Sequence, residues 1–260
     1  MKRVDIKGLD FSYAGSKCVL SGIDLDVDPG EFVCILGHSG CGKSTLLRLI
    51  AGLEQPTVGS IMLDGSPVMG AGLDRGVVFQ DYGLYPWMST GKNITLALEQ
   101  SSPEMSRTAL KIRATEMLLH VGLTPDVLNK LPKELSGGMQ QRCAIAQALA
   151  IDPPVLLMDE PFGALDSITR AKLQDLVRRL WGGSGERKTV FFVTHDVDEA
   201  LLLGTRIVVL GQTPSSVIYD THIDEANRPT RQTLFRNERF LDLRNELLEK
   251  INDNVSERME

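Results

Sequence analysis

A continuous apolar run, Phe32–Leu36, leads directly into the glycine-rich octapeptide Gly37–Ser44, and helix-favouring residues occupy Lys43–Ala51. An unbroken apolar run of this kind is typical of a strand that is buried on both faces of a parallel sheet. The octapeptide fits the pattern GxxxxGK[ST], in which glycines let backbone N–H groups approach phosphate oxygens and the following helix adds a positive N-terminus. Since a chance match somewhere in the chain has odds of about one in a hundred, this strand–loop–helix unit predicts a phosphate-binding α/β core.

Lys43 and Ser44 carry the chemistry of this phosphate loop, Gly37–Ser44. The Lys43 ammonium group can reach the β- and γ-phosphates of a nucleotide, and the Ser44 hydroxyl can ligate Mg²⁺. The nucleotide-binding residues predicted at this point of the chain are Gly37, His38, Ser39, Gly40, Cys41, Gly42, Lys43, Ser44 and Thr45.

The same succession of buried strand and helix recurs further along the chain. Apolar runs at Val155–Met158 and Val190–Val193 are each followed by polar residues and a helical stretch. Residues 2–28 instead alternate apolar and polar side chains, as half-buried antiparallel strands do. The predicted fold class is α/β: a P-loop NTPase core with a mainly parallel sheet, an N-terminal antiparallel β subdomain and an inserted α-helical subdomain.

Helical patterns interrupt and end this core. Ser106–Val121 has apolar residues at helical spacing, which places an inserted helical subdomain at approximately 84–145 within a nucleotide-binding domain of residues 1–215. Residues 216–260 are predicted to form a C-terminal helical tail, because apolar residues recur at amphipathic spacing between Phe240 and Ile251. This tail packs either against the core or against a dimer partner.

Polar residues that suit hydrolysis follow the apolar runs. Asp159 and Glu160 end the run Val155–Met158; Asp159 is predicted to hold Mg²⁺, and Glu160 to act as the general base that polarises a water molecule. His195 should emerge on the same sheet edge and contact the γ-phosphate, although a single histidine is more often structural. Gln80 follows Val77–Phe79 and can reach Mg²⁺ or the attacking water. The predicted metal ligands are therefore Ser44, Gln80 and Asp159, and the predicted catalytic residues are Glu160, His195 and Gln80.

A second glycine-rich turn, Leu135–Arg142, reads LSGGMQQR and runs into a helix over Gln140–Ala150. By itself it is either a second anion site at a helix N-terminus or a helix cap after a flexible turn. The segment closely resembles the signature motif of the ATP-binding-cassette (ABC) ATPases, and it lies, as in that family, shortly before the strand that carries Asp159 and Glu160. The resemblance covers residues from about 3 to 210.

The resemblance implies ATP hydrolysis, with ATP and Mg²⁺ as cofactors, in a homodimer. Each ATP would lie between Gly37–Ser44 of one chain and Ser136, Gly137 and Gly138 of the other. The resemblance also assigns Tyr13 to stacking on adenine, Gln80 to the Q-loop, His195 to the switch histidine, and Asp166 to the D-loop, among the nucleotide-binding residues.

Two classes of ABC ATPase have to be separated. One is the energising subunit of an importer, which works with a separate membrane permease and, indirectly, with an extracytoplasmic solute-binding protein. The alternative is a soluble ABC ATPase that acts on nucleic acid or on the ribosome. Chromosome-maintenance members insert hundreds of coiled-coil residues between the two motifs, whereas this chain has about ninety residues there and no sustained heptads. A P-loop kinase or GTPase does not account for Leu135–Arg142, so the importer subunit is the predicted function.

The cargo is indicated only indirectly. Asp74–Gln80 (DRGVVFQ) followed by Leu84–Trp87 (LYPW) is similar to the nitrate/sulfonate/taurine importer group, which suggests one of these or a similar small solute. The chain departs from that group at Gly204–Arg206, and Gly211–Ser216 has no family signal. The surface around Gln80 and the helical insertion is expected to receive a cytoplasmic helix of the permease.

Charge and composition agree with this interpretation. The formal net charge of −6 provides no global basic field for nucleic acid, so no nucleic-acid partner is expected. The four cysteines are scattered without zinc-ligand spacing and are interpreted as reduced thiols. No apolar run approaches the roughly 20 residues that span a bilayer, and no signal peptide is recognisable at the N-terminus. The predicted location is the cytoplasm, peripheral on the inner face of the membrane through the permease.

Overall fold

The computed structural model describes residues 1–15, 17–163, 165–182, 187–225 and 228–256, the last four of these as backbone. The strands are β1 (Val4–Ser12), β2 (Cys18–Val27), β3 (Phe32–Leu36), β4 (Val58–Leu63), β5 (Ser66–Pro67), β6 (Arg75–Val78), β7 (Val155–Asp159), β8 (Thr189–Val193), β9 (Arg206–Leu210) and β10 (Val217–His222). The α-helices are α1 (Lys43–Ala51), α2 (Thr90–Ser101), α3 (Arg107–His120), α4 (Gly137–Ala150), α5 (Ser167–Gly182), α6 (Val197–Leu203) and α7 (Glu238–Ser256), with short 3₁₀ turns at Pro125–Asn129 and Pro132–Glu134. The chain forms two compact units, residues 1–72 with 186–260 and residues 73–185.

An antiparallel sheet in the first unit has the strand order β2-β1-β4-β5. The alternation seen in the sequence corresponds to burial: Ile23, Leu25 and Val27 are buried on β2, while Asp24 and Asp26 between them are exposed. A strand with one buried face requires this two-residue period. The predicted N-terminal antiparallel β subdomain is confirmed.

A second sheet of the first unit is built around β3. This strand lies parallel to β8 on one side and parallel to β9 on the other, and every residue of Phe32–Leu36 is fully buried. Full burial on both faces explains the unbroken apolar run. Helix α1 then starts at Lys43 and ends before Gly52, as the sequence predicts. The buried strand, the loop and the helix are therefore consecutive in the structure.

The second unit combines β6 and β7, which pair in parallel, with helices α2 to α5. Helices α2 and α3 pack against α4 and lie in the range predicted to be helical. Helix α4 starts at Gly137 rather than at the predicted Gln140, and it ends at Ala150, as predicted. The earlier start arises because Ser136 caps the helix, so that two glycines of low helix propensity are included.

The C-terminal segment differs from the expectation of a wholly helical tail from residue 216. Val217–His222 forms β10, which pairs antiparallel with β9, and the helix α7 begins only at Glu238. The Arg206 guanidinium holds this edge strand by donating from Nε and Nη2 to the Asp220 carboxylate at 2.9 and 2.7 Å. None of the β10 residues is fully buried, so the strand lacks the alternation that identifies strands in sequence.

None of the four cysteines forms a disulfide bond. Burial raises the pKa of the Cys143 thiol to about 12, and burial likewise raises the pKa of the Cys34 thiol. Both thiols therefore stay protonated and unreactive near neutral pH. In the described part of the chain, no helix combines the length and the apolar character needed to cross a membrane.

Gly59 marks a close approach of two strands in the antiparallel sheet. Its φ is +82°, and an added Cβ would overlap the carbonyl oxygens of Gly8 and Lys7 on β1. Gly65 has a similar φ of +77°, but an added Cβ there meets nothing within 4 Å. A comparison of substitutions at the two glycines therefore distinguishes the cost of backbone strain from the cost of steric overlap.

Gly59→Ala should destabilise the protein much more than Gly65→Ala. Both substitutions place an L side chain in the left-handed region at about 1–2 kcal/mol, and only Gly59→Ala adds an overlap with backbone that costs about 1–3 kcal/mol more. Urea unfolding of the two variants measures the difference. Equal losses in the free energy of unfolding would contradict the close approach.

Candidate active site

Lys43 organises the phosphate loop, residues Gly37–Ser44. Its Nζ donates to the carbonyl oxygens of Gly37 and His38, each at 2.9 Å, and the side chain is only 4% exposed. At Gly37 an added Cβ would lie 2.7 Å from Cys41 Sγ and 2.8 Å from the Leu210 carbonyl oxygen, so no other residue fits there. The loop is therefore wrapped tightly around a buried ammonium group.

The N-terminus of α1 differs from those of the helices in the second unit. Helices α2, α3 and α4 are each capped by a serine side chain, those of Ser89, Ser106 and Ser136. Helix α1 follows Gly42, which has no side chain to accept a hydrogen bond, and its first turn contains no acidic residue. The first N–H groups of a helix need an acceptor from elsewhere, and an anion such as phosphate provides one. The exposed residues His38, Ser39 and Gly40 surround this position, Cys41 is buried, and Ser44 and Thr45 open the helix.

Tyr13, immediately after β1, is held close to α1. Its ring meets that of Phe11 edge to face, with 4.8 Å between ring centroids, and its Oη lies 3.3 Å from Thr45 Oγ1. The side chain nevertheless keeps 38% exposure. A fixed and partly exposed aromatic ring beside a phosphate loop is suited to stacking on a base.

His195 leaves the sheet at the same edge as the phosphate loop. Strands β3 and β8 are parallel neighbours with Ile35 opposite Val193, so the residues that follow each strand emerge together, as predicted. His195 is exposed, and hydrogen bonds fix the residues on either side of it: the Asp196 N–H donates to Thr194 Oγ1 at 3.0 Å. The Asp196 carboxylate in turn accepts from the first N–H groups of α6.

The second unit brings Gln80, Asp159 and Glu160 to one edge of its strand pair. Val78 on β6 lies opposite Met158 on β7, and both strands end there. Asp159 is 8% exposed, and Gln80 is exposed. Glu160 has a φ of +41°, a left-handed conformation that costs a residue with a Cβ about 1 kcal/mol or more. Strained backbone of this kind clusters at active sites, which agrees with the catalytic role predicted for Glu160.

Packing within their own chain leaves little room for a side chain at either of the two signature glycines. An added Cβ at Gly137 would lie 3.1 Å from Tyr82 Oη, and one at Gly138 would lie 2.5 Å from a Thr169 methyl carbon. Ser136 accepts a hydrogen bond from the Met139 N–H at 3.4 Å, so it caps α4. Sequence reasoning missed Tyr82 and Thr169, because nothing in the local pattern shows which side chains meet the glycines.

Asp166 caps α5 in this structure. Its Oδ1 accepts from the backbone N–H groups of Ile168 and Thr169 at 3.1 and 3.0 Å. The Thr169 N–H, followed by further hydrogen bonds, lowers the pKa of the Asp166 carboxyl. The carboxylate is therefore engaged with its own helix, in addition to the nucleotide-binding role predicted for it.

Comparison with known proteins identifies similar chains. The ABC transporter family model matches residues 20–163. The nitrate import ATP-binding protein NrtD of Synechococcus elongatus is 44% identical over 236 residues, which are 90% of this chain and 85% of that protein. The bicarbonate transport ATP-binding protein CmpD of the same organism is also 44% identical over 236 residues, 90% of this chain and 84% of that protein.

A solved structure has the same fold. The dimeric post-hydrolysis state of the ATP-binding cassette MJ0796, bound to ADP and Pi, is 34% identical and superposes with a TM-score of 0.75. The match covers 85% of this chain and 99% of that one. The α/β architecture predicted from the sequence is confirmed.

If Tyr13 stacks on the base of a bound nucleotide, its ring rather than its hydroxyl should matter. Tyr13→Ala should weaken ATP binding about tenfold or more, since stacking of a base on an aromatic ring contributes about 1–3 kcal/mol. Tyr13→Phe keeps the ring, loses the 3.3 Å contact between the hydroxyl and Thr45 Oγ1, and should bind almost as tightly as the wild type. Equilibrium titration with ATP measures both, and equal losses in the two variants would refute the stacking role.

Proposed function

This chain belongs to the ABC transporter family, and we propose from that premise that it is the ATP-hydrolysing subunit of an importer with a separate membrane permease. The observation that carries the proposal is the paired glycine-rich motifs of one chain. One is a phosphate loop around buried Lys43 before a helix that has no side-chain cap at Gly42, and the other, Ser136–Gly138, starts a helix that is capped by a serine side chain. The first binds the anion directly, and the second is half of a site that needs another chain.

Each ATP would lie between two copies of this chain. Its phosphates would accept hydrogen bonds from the backbone N–H groups of Gly37–Ser44 and from Lys43 in place of the carbonyl oxygens of Gly37 and His38. The second copy would close the site with Ser136–Gly138. With one phosphate loop and one signature per chain, a two-fold symmetric homodimer contains two equivalent sites.

Hydrolysis would depend on polar residues at the sheet edges. Glu160 would orient and polarise the attacking water as general base, and its left-handed backbone conformation, with a φ of +41°, is of the kind that clusters at active sites. His195 would contact the γ-phosphate, and Gln80 would reach the water. In this arrangement, the residues position groups and stabilise charge on the phosphate, as phosphoryl transfer requires.

The donors proposed for Mg²⁺ suit that ion chemically. Ser44, Asp159 and Gln80 offer hard oxygen atoms, which Mg²⁺ prefers. Among the described residues, no group of three or more His, Cys, Asp or Glu side chains is placed to hold a metal. Mg²⁺ commonly takes few protein ligands and completes its shell with phosphates and water, and when bound it neutralises phosphate charge.

An exposed aromatic pair after Gln80 supports docking of a permease helix. Trp87 is 71% exposed and Tyr85 is 41% exposed, with 5.4 Å between their ring centroids. Buried Asn93 holds this segment by accepting from the Tyr85 N–H at 2.7 Å and by donating to the carbonyl oxygens of Tyr85, Met88 and Ser89. A rigidly held, exposed aromatic patch is a typical protein-docking surface. The chain would then lie at the cytoplasmic face of the membrane.

The cargo class proposed is a small anion or similar small solute. The two relatives named above are ATP-binding proteins of nitrate import and of bicarbonate transport, and the DRGVVFQ and LYPW segments are similar to the nitrate, sulfonate and taurine group. Recognition would be performed by the permease and an extracytoplasmic solute-binding protein. The alternative of a nucleic-acid ATPase gains no support from a net charge of −6.

Glu160→Gln should lower ATP hydrolysis at least a hundredfold, because a general base contributes about 10²–10⁴ in rate. ATP binding should persist, so the variant should elute from a sizing column as a dimer in the presence of ATP. Glu116→Gln, which replaces an exposed acid on α3, is the matched control and should hydrolyse ATP normally. A wild-type rate for Glu160→Gln would exclude Glu160 as the base.

Ser136→Arg tests whether the signature serine does more than cap α4. Ser106→Arg is the matched control, because Ser106 caps α3 in the same way, accepting from the Ala109 N–H at 3.2 Å. Both variants should lose about 1 kcal/mol of helix-cap stabilisation, measured by thermal unfolding. Only Ser136→Arg should also lose ATP hydrolysis while each monomer still binds ATP. Unimpaired hydrolysis in Ser136→Arg would rule out the shared site.

A further inference from the structure

The C-terminal helix α7 places one face against the core of the first unit. Phe240, Arg244, Leu247 and Ile251 follow at the three- and four-residue spacing of one helix face. Phe240 and Leu247 are buried, with 4% and 0% exposure, and anchor this face. The buried anchors therefore hold two polar groups of this face at defined positions: the Arg244 side chain and the Ile251 carbonyl group.

Arg244 contacts the helix that follows the switch histidine. Its Nε donates to Asp198 Oδ1 at 2.7 Å, and both side chains are about one-third exposed. Asp198 lies in the first turn of α6, just after His195. This ion pair joins the C-terminal helix directly to the turn that carries His195.

The turn around His195 is built from hydrogen bonds to the same part of α6. Thr194 Oγ1 donates to the buried Glu199 carboxylate at 2.7 Å, and the Asp196 carboxylate accepts from the N–H groups of Asp198 and Glu199. The residues on both sides of His195 are thus attached to the first turn of α6. A displacement of that turn would displace the His195 backbone with it.

The other end of the α7 face reaches the phosphate loop. His38 Nε2 lies 3.1 Å from the Ile251 carbonyl oxygen, a hydrogen bond when Nε2 carries the proton. Arg244 and Ile251 are about two turns apart, or roughly 10 Å along the helix. One rigid element therefore contacts the phosphate loop at one end and the His195 turn at the other.

We propose that α7 is a brace that fixes the phosphate loop and the His195 turn relative to each other, and that Arg244 is a positioning residue for His195. The inference rests on the proposed function, in which His195 contacts the γ-phosphate. Partly exposed ion pairs contribute little to stability, so loss of the Arg244–Asp198 pair should leave the fold intact. Misplacement of a catalytic group by even about 1 Å can lower a rate by up to roughly a hundredfold.

The test is the steady-state ATP hydrolysis of Arg244→Ala in the full chain. The expected result is a kcat about tenfold lower, a KM for ATP within about twofold of wild type, and a Tm within about 2 °C. Arg244→Lys keeps the charge and should recover most of the rate. Arg113→Ala, which breaks the exposed Arg113–Glu116 pair on α3, is the matched control and should leave kcat unchanged.

A double variant distinguishes positioning of His195 from a general structural effect. If Arg244 acts through His195, the variant His195→Ala/Arg244→Ala should be no slower than His195→Ala alone. Three results would overturn the proposal that α7 is a brace. The first is a double variant whose loss in kcat equals the product of the two single losses. The others are an unchanged kcat in Arg244→Ala, and a fall in its kcat that parallels a large fall in Tm. A wild-type chain that does not hydrolyse ATP would overturn the proposed function, and this inference with it.

Discussion

The buried ammonium group of Lys43 determines the shape of the phosphate loop, because it draws the carbonyl oxygens of Gly37 and His38 inward to 2.9 Å. With those carbonyls turned toward Lys43, the loop leads directly into α1, whose first N–H groups have no side-chain cap at Gly42. A buried cation and a helix N-terminus without a side-chain cap are two positive features at one place. Together they favour a phosphate ligand, and the fully buried strand β3 holds them at the edge of the sheet.

The signature segment differs from the phosphate loop, because the helix that follows it begins with a side-chain cap. Ser136 caps α4, and the glycines after it are in close contact with Tyr82 and Thr169 of the same chain. Those contacts account for the glycines within one chain, and the nucleotide role proposed for Ser136 would involve a second chain. In the proposed homodimer, the second copy would present its phosphate loop to this signature and its signature to this phosphate loop.

Buried elements could be predicted from the sequence, and partly exposed or long-range features could not. Full burial makes β3 an unbroken apolar run, and a glycine on each side defines α1, so both appear at the predicted residues. Strand β10 escaped prediction because it is an edge strand without a buried face. The role of Tyr82 and the contact between His38 and Ile251 could not be predicted for another reason. Each depends on residues that are distant in sequence, and a local sequence pattern carries no information about such contacts.

Mixing two inactive variants tests the shared site most directly. Lys43→Ala removes the phosphate loop's cation, and Ser136→Arg blocks the signature, so each homodimer has two defective sites. In a mixed dimer, the loop of the Ser136→Arg chain meets the signature of the Lys43→Ala chain, which restores one intact site. The account predicts that the mixture regains hydrolysis, up to roughly a quarter of the wild-type rate if chains pair at random. A mixture as inactive as either variant alone would contradict a site formed by two chains.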